Sequence, residues 1–231
     1  MKLAIMQPYF LPYIGYFQLI HAVDCFVLYD NIKYTKKGWI NRNRFLVNGT
    51  DSVFTIPLQN DSDSFDVAQR TIAPEFNKTK LLNRFREAYR RAPNFPGVWP
   101  ALEQVVMNGE TSLLRYIHDA LLTVCSWIGI DTEIVLSSSI DIDHSLSGRD
   151  KVVAICQKLG AEQYLNAIGG RELYSRADFL SQGIELSFLQ SEPIEYPQFD
   201  HPFVPWLSIV DVMMFNQSEQ IRPLLSMWTP V

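Results

Sequence analysis

Residues 2–29 of this 231-residue chain, KLAIMQPYFLPYIGYFQLIHAVDCFVLY, carry the clearest signal of its fold. Residues 2–6 and 25–29 are short apolar runs typical of buried strands, and residues 16–23 between them can form a helix. Two buried strands joined by one helix form a βαβ unit, which requires parallel pairing. Because ligands of such sheets bind at the carboxyl ends of the strands, the segments that follow Met6 and Tyr29 are candidate binding segments.

The rest of the chain extends this pattern. Asn48-Gly49 lies between two β-prone runs and predicts a β-hairpin, while apolar residues at helical spacing predict a helical insertion over about residues 77–128. Further strands are expected at 133–136, 163–168 and 184–189. We therefore expect a single α/β domain over residues 1–231. Its sheet should be mainly parallel and nucleotide-binding-like, with flanking helices, a β-hairpin and the helical insertion.

Positive charge is concentrated in one part of an acidic chain. The formal net charge is −5, yet residues 31–45, the basic segment, hold no acid and five cations. These are Lys33, Lys36, Lys37, Arg42 and Arg44. An acidic protein is poorly suited to nucleic acid, so we expect no nucleic-acid partner and favour a small anionic ligand such as a nucleotide. A solvated basic hairpin is the alternative interpretation.

Composition also limits the compartment and the cofactors. Hydrophobic residues make up 47% of the chain, so a sizeable core is expected. No apolar run has the length of a membrane span. The three cysteines, Cys25, Cys125 and Cys156, lack the spacing of metal ligands, as do the histidines, and no metal site is predicted. A cytoplasmic protein with reduced thiols fits best.

The first turn, residues 7–15, is the first candidate site. Its prolines and aromatic residues would hold backbone amides and rings around one point, and Gly15 would let a ligand approach a helix start closely. The candidate ligand-binding residues here are Gln7, Tyr13, Gly15 and Tyr16. Residues 13–16 are similar to the HxGH turn of nucleotidylyl transferases, although tyrosines replace both histidines. An aromatic mini-core under a tight turn is the alternative.

The basic segment is the second candidate site. Asp30 ends a predicted strand beside many cations, so it should stay ionised and is the first candidate for a catalytic base. Arginine binds phosphate through two hydrogen bonds, and tryptophan stacks on a base or a sugar. The candidate ligand-binding residues are Lys36, Lys37, Trp39, Arg42 and Asn43.

Two further positions could take part. Arg149 lies in the first turn of a predicted helix next to serine hydroxyls, which indicates an anion site, although Asp150 competes for the same amides. His201, beside Asp200, is the second candidate for a catalytic base. It lies in a third aromatic stretch, residues 196–206, the aromatic segment, which we expect beside the first turn. A helix cap and a structural histidine are the respective alternatives.

Three blocks of this sequence resemble the WbqC-like family of bacterial proteins. They are QPYFLPYIGYF at residues 7–17, YDNIKYTKKGWINRN at 29–43 and FVPWLSIVD at 203–211. The resemblance implies a transferase of surface-polysaccharide (O-antigen) biosynthesis that moves an aminoacyl (glycyl) or acyl group to a nucleotide-linked amino sugar. The nucleotide sugar would be the anionic substrate. The cofactor is unknown; a thioester acyl donor, a carrier protein that bears it, and ATP all fit.

Two other functions remain open at this point. One is a nucleotidylyl-transferase-like enzyme that uses ATP, favoured by the position of the first turn between a strand and a helix. The other is a non-catalytic module that binds a glycan or a nucleotide sugar. Magnesium-dependent ATP binding would indicate the first, and ligand binding without turnover would indicate the second.

Overall fold

The computed structural model describes residues 1–231 and contains two β-sheets. The strands are β1 (Lys2–Met6), β2 (Cys25–Leu28), β3 (Arg42–Val47), β4 (Thr50–Thr55), β5 (Glu133–Leu136), β6 (Gln163–Ala167), β7 (Glu185–Ser191) and β8 (Trp228–Pro230). The helices are α1 (Ile14–His21), α2 (Lys78–Tyr89), α3 (Phe95–Met107), α4 (Leu113–Ile128), α5 (Gly148–Lys158), α6 (Arg176–Leu180), α7 (Ile209–Phe215) and α8 (Ser218–Leu224). None of these helices combines the length and apolar character needed to span a bilayer.

The larger sheet has six strands in the order β5-β2-β1-β6-β7-β8. Every neighbouring pair is parallel except β7 and β8, which are antiparallel. The predicted fold class, a mainly parallel sheet with flanking helices and a separate hairpin, is confirmed. The chain moves from β1 to β2 on one side and reaches β6 on the other. The strand order therefore reverses beside β1, and ligands of such sheets bind at this point of reversal.

The sheet separates two apolar cores. Along β1, Ala4 faces the larger core, which contains side chains of α1, α4 and α7. Leu3 and Ile5 face the smaller core, which contains side chains of α5 and α6. Side chains of a strand point alternately to opposite faces, so burial on both faces requires the unbroken apolar run that the sequence shows.

The β3–β4 hairpin turns at Asn48-Gly49, as predicted. Asn48 has φ +51° and Gly49 has φ +78°, the left-handed conformations that a two-residue hairpin turn of this kind requires. The hairpin packs beside α2, the first of three helices within residues 78–128. One side of the hairpin therefore packs against these helices, and the start of β3 lies near the first turn.

Three elements were not predicted individually, although α3 lies within the predicted helical insertion. Helix α3 contains Pro96 in its first turn, where proline is tolerated, and Pro100 in its interior. Helix α8 contains Pro223. Strand β8 has only three residues and depends on pairing with β7 along Leu189–Ser191. The prolines and the short length of these elements mean that the spacing of apolar residues does not indicate them. Tertiary packing overrides local propensity in each of them.

Candidate functional site

The first turn is held in place by two distant segments of the chain. The Leu11 carbonyl accepts hydrogen bonds from Asn43 Nδ2 at 2.9 Å and from Ser208 Oγ at 2.7 Å. The Phe10 amide donates to the Ile40 carbonyl at 2.9 Å. These contacts bring the first turn, the basic segment and the end of the aromatic segment together, next to the point where the strand order reverses.

An aromatic cleft opens where these segments meet, and its first lobe has a volume of about 180 Å³. The lobe is lined by Tyr9, Pro12, Tyr13, Trp39, Asn43, Arg44 and Trp206. The rings of Tyr13 and Trp206 meet edge to face with centroids 5.8 Å apart. The structure thus brings together three of the predicted ligand-binding residues, Tyr13, Trp39 and Asn43, and adds Trp206, which is 57% exposed.

The second lobe lies on the other side of Tyr13 and Trp206 and has a volume of about 380 Å³. Its remaining walls come mainly from the end of β7, from the segment after it and from the aromatic segment. They include Ser191, Glu192, Glu195, Tyr196, Phe203 and Pro205. This volume falls within the range of about 300–1,000 Å³ that is typical of small-molecule pockets, and the lining is mostly apolar, as in such pockets.

Trp206 in the cleft lining and Leu11, the buried residue before Pro12, have strained backbones. Leu11 has φ +46° and Trp206 has φ +61°, a region that bulky side chains rarely occupy. Each such residue costs about 1–3 kcal/mol and persists only where the surroundings enforce it. Arg44 Nη2 donates to the Trp206 carbonyl at 3.2 Å, and Leu11 is held by the two bonds described above. Phe199, which lies outside the cleft, has the same conformation at φ +55°, so this strain shows how firmly the loops are held.

The two lobes carry opposite charge. Arg44 lines the first lobe, and Arg42 lies outside its lining but against the same Trp39 ring. Their guanidinium groups lie 5.7 and 5.3 Å from the ring centroid, and Arg44 Nη1 also lies 3.3 Å from Asp51 Oδ2. At the second lobe, Glu192 and Glu195 are exposed, and neither carboxylate is paired with a cation. A ligand that lies across Tyr13 and Trp206 would therefore meet cations at one end and carboxylates at the other.

The other cations of the basic segment differ in how far they are engaged. Lys36 Nζ lies 2.6 Å from Asp63 Oδ1 in an exposed ion pair. Lys37 is exposed and forms no ion pair. Arg42 Nε and Nη2 donate to the carbonyls of Gly38 and Lys37 at 3.0 and 2.7 Å, so this side chain also shapes the loop that carries Trp39.

Gln7, Gly15 and Tyr16, which were predicted to bind the ligand, are not among the residues that line the cleft. Tyr16 is 1% exposed, and its hydroxyl donates to the Gln7 carbonyl at 2.8 Å, so it anchors the turn from within the core. A Cβ atom on Gly15 would lie 2.7 Å from Tyr13 Cζ and 2.8 Å from Ser191 Oγ. The close approach that requires glycine here is therefore that of the Tyr13 ring, which covers the helix start.

This packing gives a direct test. We expect Gly15→Ala to push the Tyr13 ring out of the cleft and to lower the free energy of unfolding by about 1–3 kcal/mol, as overpacked sites do. Urea unfolding measures this change. Gly109→Ala is the matched control, because no atom lies within 4 Å of a Cβ atom there, and it should change stability by less than about 0.5 kcal/mol. Equal stability of the two variants would contradict the packing argument.

Asp30, predicted as a catalytic base, is buried and is not among the residues that line the cleft. The residue is 0% exposed. Its Oδ1 accepts hydrogen bonds from Ser137 Oγ at 2.8 Å and from the Ser138 amide at 2.9 Å. Ser137 and Ser138 follow β5, the neighbour of β2, so Asp30 ties two loops together at the carboxyl edge of the sheet. A carboxylate without access to solvent cannot deprotonate a substrate directly.

His201 and Arg149 also lie outside the cleft. The His201 ring packs against Gly49 in the hairpin turn, where it lines a separate groove of about 690 Å³. Arg149 is exposed and hydrogen-bonded to Asp150 at 2.9 Å and to Asp178 at 2.9 Å. The anion site predicted at Arg149 is therefore occupied by carboxylates of the chain itself.

Asp211 is a buried carboxylate whose role the sequence did not reveal. It is 0% exposed, and the cap of α7 is Ser208, whose Oγ accepts from the Val210 amide. The Asp211 carboxylate accepts from Tyr89 Oη at 2.9 Å, Tyr196 Oη at 2.8 Å and Gln198 Nε2 at 2.6 Å. Burial raises the pKa of Asp211 to about 6. Since Tyr196 lines the second lobe, Asp211 fixes one wall of the cleft.

The three cysteines are all buried and unpaired by disulfides. Burial raises the pKa of the Cys25 thiol to about 11 and those of Cys125 and Cys156 to about 12. Reactive cysteines are exposed and have lowered pKa values, so these thiols pack as small apolar side chains.

Comparisons with known proteins agree with the three blocks that meet at the cleft. Residues 7–223 match the model of the WbqC-like protein family. A protein of Mycobacterium tuberculosis, "Uncharacterized protein Rv1507c", is 28% identical over 218 residues, which cover 93% of each chain. No solved structure matches this chain.

Proposed function

The chain belongs to the WbqC-like protein family, and from this premise we propose that it is a transferase of bacterial surface-polysaccharide biosynthesis. The proposed reaction moves an aminoacyl (glycyl) or acyl group to the amine of a nucleotide-linked amino sugar. The observation that carries the proposal is the opposite charge of the two lobes. A sugar that bears an amine and is linked to a diphosphate has the same arrangement, with an anion at one end and a basic nitrogen at the other.

The nucleotide end of the substrate would occupy the first lobe. Trp39 and Tyr13 offer ring faces and edges on which a base or a sugar can pack. Arg42 and the unpaired Lys37 would neutralise the diphosphate, because charge-assisted bonds to phosphate are stronger than neutral ones. The Trp206 ring, which divides the lobes, would lie between the diphosphate and the amine and would orient the sugar.

The second lobe would carry out the transfer. Glu192 and Glu195 are the carboxylates that can take a proton from the sugar amine. The freed amine nitrogen attacks the carbonyl carbon of a thioester donor, the C–N bond forms and the C–S bond breaks. The nitrogen then loses a further proton, which passes to the departing sulfur, so that the donor leaves as a thiol. Burial raises the pKa of the Tyr13 phenol, so its hydroxyl stays protonated and can donate to the developing oxyanion.

Titration calorimetry with paired ligands tests this proposal. We expect a UDP-linked amino sugar to bind more tightly than its N-acetylated counterpart, because acetylation removes the basic nitrogen that the carboxylates attract. With an acyl thioester present, release of free thiol should depend on the amino sugar. Glu192→Gln and Glu195→Gln should each lower this rate. The variant that loses the general base should show the larger decrease, about 10²–10⁴-fold.

The control variant is Glu103→Gln, which removes an exposed carboxylate on α3 and should leave the rate unchanged. Binding of the amino sugar without turnover by any thioester or aminoacyl donor would instead support a non-catalytic binding module. Magnesium-dependent ATP consumption with release of pyrophosphate would support nucleotidylyl transfer. No binding of any nucleotide sugar would overturn the proposal.

A further inference from the structure

A second concentration of positive charge lies outside the cleft, on and just beyond α2. Residues 78–91 contain six cations and one acid, Glu87, in a chain whose net charge is −5. Two of these cations are engaged elsewhere. Lys78 Nζ bonds to the Asn108 carbonyl, and Arg86 lies 4.7 Å over the Trp99 ring.

The other four cations, Lys80, Arg84, Arg90 and Arg91, line a groove of about 950 Å³ between α2 and the β3–β4 hairpin. Of these, Arg84 also donates through Nη2 to the Val53 carbonyl at 2.9 Å and to Ser52 Oγ at 3.2 Å. Only three of its thirteen lining residues are hydrophobic. Asn48 and Ser52 contribute neutral hydrogen-bonding groups from the hairpin. We name this feature the basic groove. Glu87 is its one acid, and Arg90 lies 3.5 Å from it, so three cations carry the net charge.

We propose that the basic groove is a docking site for an acidic helix of a partner protein. Small-molecule pockets are enclosed and mostly apolar, whereas this groove is wide and polar, which favours a macromolecular surface. Lys80 and Arg84 lie one turn apart on α2, and Arg91 lies seven positions after Arg84, just beyond the end of the helix. Carboxylates spaced by one turn and then by about two turns along a partner helix would therefore match Lys80, Arg84 and Arg91.

The groove chemistry favours a protein partner over nucleic acid. Binding of single strands relies on aromatic side chains that stack on bases, and Phe45 is the one aromatic residue in the lining. It is 1% exposed and covered by the Arg84 guanidinium at 4.9 Å. The acidic remainder of the chain would also repel a polyanion longer than the groove. This inference does not depend on the transferase proposal.

Docking here would place a partner on the hairpin that also builds the cleft. Strand β3 contributes Asn43 and Arg44 to the first lobe and Phe45 and Val47 to the basic groove. Asn43 and Arg44 lie near the start of the strand and Phe45 and Val47 lie further along it, so one strand serves both surfaces at different points of its length. A carrier protein that presents an acidic helix and delivers an acyl thioester would be a partner of this class.

Fluorescence anisotropy with a labelled helical peptide tests the docking site. The probe is an alanine-based peptide with glutamate at every fourth position, and the same peptide with glutamine is the neutral reference. We expect the acidic peptide to bind wild type, with an affinity that falls as salt is added. The double variant Lys80→Glu/Arg91→Glu should weaken binding by about tenfold or more, since like charges then face each other.

The matched control is Lys36→Glu/Lys37→Glu, which changes the net charge equally on a different surface and should change binding by less than about twofold. Lys80→Ala/Arg91→Ala keeps the proposal testable if charge reversal disturbs folding, and circular dichroism checks both. Equal weakening by the two charge-reversed variants would show a non-specific charge effect and overturn the docking site. Absence of peptide binding, or tighter binding of a single-stranded oligonucleotide, would also overturn it.

Discussion

Replacing Arg42 with alanine is expected to weaken the binding of a nucleotide sugar by about ten- to a hundred-fold, the effect of losing a charge-assisted contact worth about 1.5–3 kcal/mol. The guanidinium lies 5.3 Å from the Trp39 ring centroid, and its Nε and Nη2 atoms bond to loop carbonyls. Nη1 has no partner in the protein and is free to bind a phosphate oxygen. Calorimetric titration of UDP- and dTDP-sugars at low and moderate salt measures the change.

Two further variants separate the charge of Arg42 from its role in the loop. Arg42→Lys keeps the charge and loses the paired bonds to the carbonyls of Gly38 and Lys37, so it should recover part of the affinity. Lys36→Ala removes an exposed cation that is already paired with Asp63 and should have little effect. If Arg42→Ala binds the nucleotide sugar as tightly as wild type, the proposed phosphate site is wrong.

The elements that the sequence predicted well are those whose signal is local. The apolar run of β1 and the Asn48-Gly49 turn depend on residues that lie next to each other in the chain. Strand β8 depends on pairing with β7, which is remote in sequence. The same distinction explains why α3 was not predicted as a separate helix. Pro100 disfavours a helix locally, whereas the buried face of α3 packs against α2 and α4.

The candidate site shows the same limit. The carboxyl ends of β1 and β2 do lie side by side, as the βαβ unit requires, yet the segments after them diverge. The hydroxyl of Ser137 and the amide of Ser138 draw the Asp30 carboxylate into the protein. The first turn is drawn instead toward Asn43 and Ser208. These bonds join residues that are 32 to 197 positions apart, so no local pattern could predict which carboxylate reaches the cleft.

Replacing Asp211 with alanine is expected to cause the largest loss of stability of any change considered, about 3 kcal/mol or more. Tyr89, Tyr196 and Gln198 would each lose the acceptor of a buried hydrogen bond. Gln198 also bonds to the Val204 carbonyl and amide, so the aromatic segment would loosen and nucleotide-sugar binding would weaken as well. Urea unfolding measures the stability. Asp211→Asn, which keeps an acceptor oxygen, should be markedly less destabilised.

The pH dependence of stability separates the Asp211 charge from its hydrogen bonds. Burial raises the pKa of Asp211 from the ordinary value of 3.8 to about 6, so the folded protein binds a proton there that the unfolded chain does not. The free energy of unfolding should therefore increase as the pH falls through 6 toward 4, by about 2–3 kcal/mol relative to Asp211→Asn, which cannot ionise. Exposed carboxylates with lowered pKa values, such as Asp63 and Asp141, act in the opposite direction but are shared by both proteins and cancel in the difference. If the free energy of unfolding of wild type and of Asp211→Asn changed with pH in the same way, Asp211 would not be an ionisable carboxylate buried behind the wall of the cleft.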